Sequence, residues 1–468
     1  MQLRNQLQYN FILDADSYKL SHRFVYPKNI TGMFSYIEPR IAKEIMIPVG
    51  IQMWIQKVLT QRITIEMIDE AEAFAAAHGE PFERSDWEYI IEKYDGFIPI
   101  TIRAVAEGTP VPSQNALVTI ECDDPRVFWL ASYTETCIQR AVWYPTTIAS
   151  NDFKIKKSII AVFNRTGADM ANLPFMLHDF GGRGVSSEES AQIGGLAHLV
   201  NFMGSDTISG VRAANFYYDI PMSAFSVPAS EHTIQTAFGS TSEQQVEYLR
   251  AMIRTYGKPN AILSIVIDGY DTFREAAALC TILKDEIVAS GAKVVFRPDS
   301  GDPLEIVPAL LKMQAEAFGY DVNELGYKKI RTVGIIQGDG VDALTIDMLL
   351  LKIANMGYRA DNIVFGSGGA LLQKVNRDTY KFAQKASAIR VNGEWIGISK
   401  DPITDPGKKS KAGVLTLVRS TKTGEYRTVE RDKPRDEEWV DQMQVVYSNG
   451  QTFNRITFEQ IRANTGLW

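Results

Sequence analysis

The chain has 468 residues, 45% hydrophobic and 22% charged, and its 49 basic and 56 acidic side chains leave a formal charge of −7. That length accommodates two or three domains with a large core. The acidic balance argues against a nucleic-acid scaffold or a membrane-surface binder, which need a basic face, but leaves room for a local basic pocket. No apolar run reaches the roughly eighteen residues of a membrane span, and the start Met1-Gln2-Leu3-Arg4-Asn5-Gln6 lacks a signal-peptide core. Cys122, Cys137 and Cys280 are too few and too far apart for a disulfide framework or a zinc site. A cytoplasmic location is the expectation, with neither nucleic acid nor membrane as a partner.

Near the start, Asp14, Asp16, Ser17, Tyr18 and His22 put acidic, hydroxyl and aromatic groups close together. Helical periodicity covers 51–59, 63–77 and 128–142, and the apolar runs 98–106 and 116–120 read as strands bounded by glycine and proline. The stretch 117–124 ends in Asp123-Asp124, as does the acidic motif of one phosphoribosyltransferase class. No small-residue phosphate loop follows it, so a strand end and turn are expected.

The next stretch is the densest in chemistry. An apolar run of strand type, 173–177, leads into His178-Asp179-Phe180-Gly181-Gly182-Arg183-Gly184. Ser186 and Glu189 fit a capping box, so a helix is predicted to run from there to Phe202. Ile193, Leu196, Ala197 and Val200 would form its buried face.

From about 152 to 369 strands and helices alternate. The predicted strands are 261–267, 293–296, 332–336 and 362–365; the predicted helices are 272–289, 303–317 and 343–355. The strands end in Asp268-Gly269-Tyr270-Asp271, Arg297-Pro298-Asp299, Gln337-Gly338-Asp339 and Gly366-Ser367-Gly368-Gly369. Parallel βα folds bind ligands at the carboxyl ends of their strands, so these ends suggest one shared site. Beyond 373 the pattern turns to β segments, 381–391 and 414–419. A basic cluster, Lys408, Lys409 and Lys411, lies in the loop between them.

Gly366 to Gly369, opening a helix, offers backbone N–H groups to a phosphate, which Arg377, Lys381 and Lys385 could complete. Asp268, Asp271, Asp299 and Asp339 could hold Mg²⁺ or ribose hydroxyls, or could simply cap helices. His232, in a polar loop, could act as acid, base or nucleophile, or be a capping residue. His178 is expected to orient its neighbours, and His22, His78 and His198 to be structural or solvent-facing.

The motifs HDFGGRGVSSEES, AHLVNFMGSDT, SVPASEHT, RPDSGDP, IQGDGVD, FGSGGALLQK and SKDPITDP stand in that order, after DADSYKLSH and SYIEPR. Together they resemble the nicotinamide phosphoribosyltransferase family from about Asp14 to Leu467. The resemblance implies an α/β fold, with an irregular β/α barrel over 151–391 and an α+β domain built from both chain ends, 1–150 and 392–468. It implies transfer of phosphoribosyl from phosphoribosyl pyrophosphate to nicotinamide, giving nicotinamide mononucleotide and pyrophosphate in NAD salvage. Mg²⁺ and ATP are implied as cofactor and co-substrate, and a homodimer with shared sites as the assembly.

Residue by residue, the resemblance puts the pyridine ring between Phe180 and the partner subunit's Tyr18, with Arg183 helping to place the ring and Asp206 accepting from the carboxamide N–H. Arg297, Asp299, Gly338 and Asp339 would hold the ribose, and Gly368, Gly369, Arg377 and Lys385 its phosphate. Arg40, Arg183, Lys400 and Lys408 would meet the pyrophosphate, and Asp16, Asp268 and Asp299 the metal. His232, with Arg297 and Asp299, is the catalytic candidate, as the histidine that ATP phosphorylates. Gly182 stands where vertebrate members carry tyrosine, and 41–51 is shorter than in them, which suggests a microbial or viral form. A nicotinate phosphoribosyltransferase is the near alternative, and a silent phosphate-binding or signalling protein on the same fold the distant one. Asp206 speaks against the first, because its charge opposes a substrate carboxylate.

Overall fold

The chain is described here from a computed structural model covering residues 7–404 and 409–468; Lys408 therefore lies outside the described residues. It divides into two compact units, one of 1–150 with 376–466 and Trp468, the other of 151–375 with Leu467. The expected boundary at 391 is corrected by the strand Phe382–Val391, which pairs antiparallel with Ile30–Pro39. Its backbone groups are satisfied in the first unit, so the division falls before it.

In the second unit, six strands form one parallel sheet: β1 (Leu177–Asp179), β2 (Gly204–Ser205), β3 (Ile262–Val266), β4 (Lys293–Arg297), β5 (Val333–Gln337) and β6 (Ile363–Ser367). Their order is β2-β1-β6-β5-β4-β3. The segment 225–230 joins the two edges. Phe225 bridges to Gly204 beside β2 and Ala229 to Ser264 on β3, which closes the sheet into an irregular barrel. Strands buried on both faces read as continuous apolar runs, and Val294-Val295-Phe296 is such a run.

Helices follow the strands, and carboxylates begin them. Asp271 caps Thr272–Cys280, Asp302 caps Pro303–Phe318 and Asp342 caps Ala343–Asn355. The expected single helix over 272–289 is two, Thr272–Cys280 and Lys284–Ser290. Between them the Thr281 hydroxyl donates back to the Ala277 carbonyl, and Leu283 turns into the core. The expected strand over 173–177 is mostly a 3₁₀ turn, Met170–Phe175, because Asp169 caps it and Pro174 brings no N–H. The helix after the glycine loop spans Glu188–His198 and is capped by Ser187, whose oxygen accepts from Ser190 N at 3.1 Å. Ser186 is not its cap, and Ile193 is only half-buried.

The first unit carries a seven-stranded sheet, with Ile30–Pro39 between Phe382–Val391 and Val118–Cys122. Trp87, Trp129 and Tyr133 pack edge-to-face in its core at 5.2–5.4 Å. The acidic turn after Val118–Cys122 is structural. Burial opposes ionisation of Asp124, but Lys93, Tyr94 and Tyr89 hold its carboxyl down to about 2. No described helix is long and apolar enough to cross a membrane.

Candidate active site

The carboxyl ends of β1 and β2 lie side by side and are tied together through Asp179. Its carboxylate accepts from Gly181 N at 2.7 Å and its carbonyl from Asp206 N at 2.9 Å. A second tie crosses between the two loops, from Gly182 N to the Thr207 hydroxyl at 3.1 Å. Phe180 and Asp206 are thereby fixed to one frame. The Phe180 backbone N donates to Ser367 O on β6 at 2.9 Å, and its ring packs against Gly366 on that strand. A Cβ on Gly366 would stand 2.0 Å from ring atom Cε2, so only glycine admits the ring there. Gly338 does the same for a carboxylate: a Cβ would come within 2.8 Å of Asp299 Oδ1 and 3.7 Å of the Phe180 ring.

Phe180, Gly338, Asp299 and Gly366 thus meet at one mouth of the barrel. Arg297 is on the adjacent strand end, and its Nε is buried with no hydrogen-bond partner. An unpaired guanidinium N–H at a strand end is a donor without its acceptor. Asp206 is exposed and accepts from the Ser226 hydroxyl at 2.5 Å; Arg183 is exposed on the glycine loop. Gly368 and Gly369 border that loop, since a Cβ on Gly181 would lie 2.9 Å from Gly368 O. A Cβ on Gly369 would meet nothing within 4 Å, leaving open space beside the nest.

His232 begins a short helix, His232–Ala237, and its Nε2 lies 3.1 Å from Asp268 Oδ1 at the end of β3. The imidazole is half-exposed while Asp268 is buried. Two buried residues fix this pair. The Ser230 hydroxyl accepts from Val266 N at 3.0 Å, and Gln235 Oε1 from Gly269 N at 3.0 Å. Asp271 is a helix cap, and Asp339 is exposed, its carbonyl accepting from Gln337.

In the first unit, Arg40, Arg377, Lys385 and Lys400 gather. Burial lowers the Lys385 amine, and the charges of Arg40, Lys400 and Arg377 add to this against Glu135. Arg40 Nη2 is buried without a partner. Asp16 accepts from the Thr136 hydroxyl at 2.9 Å, and Tyr18 is 52% exposed. Of the remaining histidines, His198 is not solvent-facing; it is fully buried, 2.7 Å from Asp152.

Among the described residues no group of three His, Cys, Asp or Glu could cage a metal. Mg²⁺, however, usually keeps its waters and binds through one or two carboxylates plus substrate phosphates. Asp268 and Asp299, at neighbouring strand ends, fit that role.

Asp179, Thr207, Ser226 and Gly366 are the site residues that sequence reasoning missed. Gly366 was visible only as part of a phosphate nest, whereas its place is under the Phe180 ring.

The same fold occurs in solved structures. Nicotinate-nucleotide pyrophosphorylase from Pyrococcus furiosus superposes with a TM-score of 0.63 over 99% of this chain and 97% of that one, at 15% identity. Human nicotinic acid phosphoribosyltransferase gives 0.57 over 97% and 92%, at 13% identity. The nicotinate phosphoribosyltransferase (NAPRTase) family model matches 175–451, and the N-terminal domain model of nicotinamide phosphoribosyltransferase matches 10–102. Nicotinamide phosphoribosyltransferase of Xanthomonas campestris is 45% identical over 97% of this chain and 98% of its own. That of Acinetobacter baylyi is 30% identical over 96% and 95%. The chain belongs to the nicotinamide phosphoribosyltransferase family.

Proposed function

We propose that this chain transfers phosphoribosyl from phosphoribosyl pyrophosphate to nicotinamide, releasing pyrophosphate. The observation that supports this reading is the barrel mouth where Phe180 and Asp299 meet at Gly338 and Phe180 covers Gly366, with Asp206 following β2 and Arg297 ending β4. The pyridine ring stacks on Phe180, and the carboxamide N–H donates to the free oxygen of Asp206, whose other oxygen holds Ser226. The pyridine nitrogen is a neutral nucleophile with no proton to lose. Its lone pair forms the bond to the ribose carbon as the bond to pyrophosphate breaks.

No general base is needed, so the site works by positioning and by charge. Asp299 and the backbone at Gly338 and Asp339 hold ribose hydroxyls, and Arg297 gives its unpaired N–H to the ribose or its phosphate. Gly368 and Gly369, with Arg377 and Lys385, take the 5′-phosphate. Arg183, Arg40, Lys400 and Lys408 take negative charge from the leaving group. Asp16, Asp268 or Asp299 would hold Mg²⁺, which would supply further neutralisation of that charge.

His232 is assigned the coupling to ATP. Its Nε2–H donates to Asp268, leaving the Nδ1 lone pair to accept the γ-phosphoryl as ADP departs. The test is mononucleotide formation from nicotinamide and from nicotinate, with and without ATP. Product from nicotinamide and stimulation by ATP are expected, with His232→Ala keeping basal transfer and losing the stimulation. A folded protein that makes no nicotinamide product overturns the reading; stimulation that survives in the variant returns His232 to a structural role.

A homodimer with shared sites is part of the same proposal, and the exposed ring of Tyr18 supports it. Tyr18→Ala and Phe180→Ala proteins, each inactive, should regain activity on mixing, since a heterodimer rebuilds one intact site. Subunit exchange without recovered activity would refute the sharing.

A further inference from the structure

His198 ends the helix Glu188–His198, and no part of its ring reaches solvent. Its Nδ1 lies 2.7 Å from Asp152 Oδ2 and its Nε2 3.1 Å from the carbonyl of Gly204. A carbonyl can only accept, so Nε2 carries a proton. A carboxylate also only accepts, so Nδ1 carries a second, and the ring is an imidazolium held between two acceptors. Asp152 is fully buried as well, and its other oxygen has no hydrogen-bond partner. Such a carboxylate stays ionised only beside a cation.

The titratable groups around the ring come from two elements. Asp152 and Lys156 belong to the helix Glu135–Thr166, and Asp179 and His178 to β1. Phe202 stacks on the imidazole at 5.6 Å, and Lys156 Nζ lies 5.9 Å from that phenyl ring. Burial pushes His178 down to about 4, so it stays neutral. Burial also opposes a charge on His198, but Asp152 and then Asp179 hold its imidazole above the ordinary range. Both ends of this arrangement reach the base site. The Gly204 carbonyl is on β2, two residues before Asp206, and the Asp179 carboxylate holds Gly181 N, next to Phe180. Burial pushes the Asp179 carboxyl up, and the charge of His198 is the foremost influence bringing it back. The helix packs tightly here: a Cβ on Gly195 would stand 2.9 Å from Gly210 Cα and 3.3 Å from Asp179 Oδ2.

We propose that His198, kept charged by Asp152, is the positioning residue of the base site: it anchors β2 and Asp206 through the Gly204 carbonyl, and it keeps Asp179 ionised to hold the loop of Phe180. The positioning role rests on the reading of the base site given above; the charge on the ring does not.

Nitrogen NMR of the full-length protein, labelled in its histidine rings, reads the charge directly. His22→Gln, His78→Gln, His178→Gln and His232→Gln, made one at a time, leave His198 as the signal that persists. Both its ring nitrogens should stay protonated from about pH 6 to about pH 8, where an ordinary histidine loses its charge. A neutral ring at neutral pH overturns the proposal, whatever the enzyme does. His198→Gln leaves two buried carboxylates without their cation, so Asp179 takes up a proton as the pH falls. KM for nicotinamide should rise roughly tenfold, and further at about pH 6 than at about pH 8, while KM for phosphoribosyl pyrophosphate changes little. Wild type should lack that slope. Adding Asp152→Asn to the same chain removes the excess negative charge, so it should recover most of the loss and raise Tm above that of His198→Gln. A histidine that merely fills space would not be rescued in this way. An unchanged nicotinamide KM in His198→Gln, a loss without pH dependence, or a double variant no better in KM and Tm overturns the proposal. A wild-type protein that makes no nicotinamide product refutes the assigned reaction instead, and the ring signal still decides the charge of His198.

Discussion

Gly366→Ala is expected to lower kcat/KM for nicotinamide by about two orders of magnitude while the protein still folds. The added methyl would stand 2.0 Å from the Phe180 ring, well inside contact distance. Neither side gives easily. The Phe180 backbone is held to Ser367 O, and Gly366 lies within β6, paired with His178 on β1. The ring must move by more than about 1 Å, and a displacement of that size at a reacting geometry costs about a hundredfold. Overpacking should also destabilise the chain by about 1–3 kcal/mol. The double variant Gly366→Ala/Phe180→Leu should recover Tm but not activity, which separates the packing cost from the loss of stacking. Wild-type kcat/KM in Gly366→Ala would mean that the ring does not hold the substrate where it stands in this structure.

Asp206→Asn is expected to shift the choice of base. An ionised carboxylate accepts from an amide N–H and opposes a carboxylate; the asparagine keeps the shape, removes the charge and adds a donor. Loss of a charge-assisted hydrogen bond is worth about 1.5–3 kcal/mol, so nicotinamide efficiency should fall roughly ten- to a hundredfold. Nicotinate, freed of repulsion, should gain in relative terms. The backbone ties through Asp179 and Thr207 do not involve the Asp206 carboxylate, so the frame should survive the change. The measurement is kcat/KM for both bases in both proteins, and an unchanged ratio would remove Asp206 from base recognition.

What the sequence disclosed follows from range. The strand runs ending in Asp268, Arg297, Gln337 and Ser367 are local patterns, and the barrel strands Ile262–Val266, Lys293–Arg297, Val333–Gln337 and Ile363–Ser367 lie where those patterns stand. The shortest strands escaped. Gly204–Ser205 has only two residues, and its existence depends on pairing with His178 and Asp179. The closing segment 225–230 carries no period at all and is defined by bridges at Phe225 and Ala229. Ser226 and Thr207 became legible as site residues only once distant loops were brought together. Asp271 is the converse case: of the two readings open to an acid at a strand end, the helix cap is the one observed, its oxygen accepting from the amides of Phe273 and Arg274.

The pairing of Ile30–Pro39 with Phe382–Val391 also fixes an order of events during synthesis. When the ribosome has made the first 150 residues, the central strand has a partner on one side only, Val118–Cys122. Its other edge stays bare until 391 − 150 = 241 further residues have emerged, starting with the second unit, 151–375. Such long-range pairings are slow, and a bare strand edge is where chains pair with the wrong neighbour. The nascent first unit is thus an open sheet waiting for its own distal end. Truncations that stop short of 391 leave that sheet without its neighbour, whatever the state of the barrel.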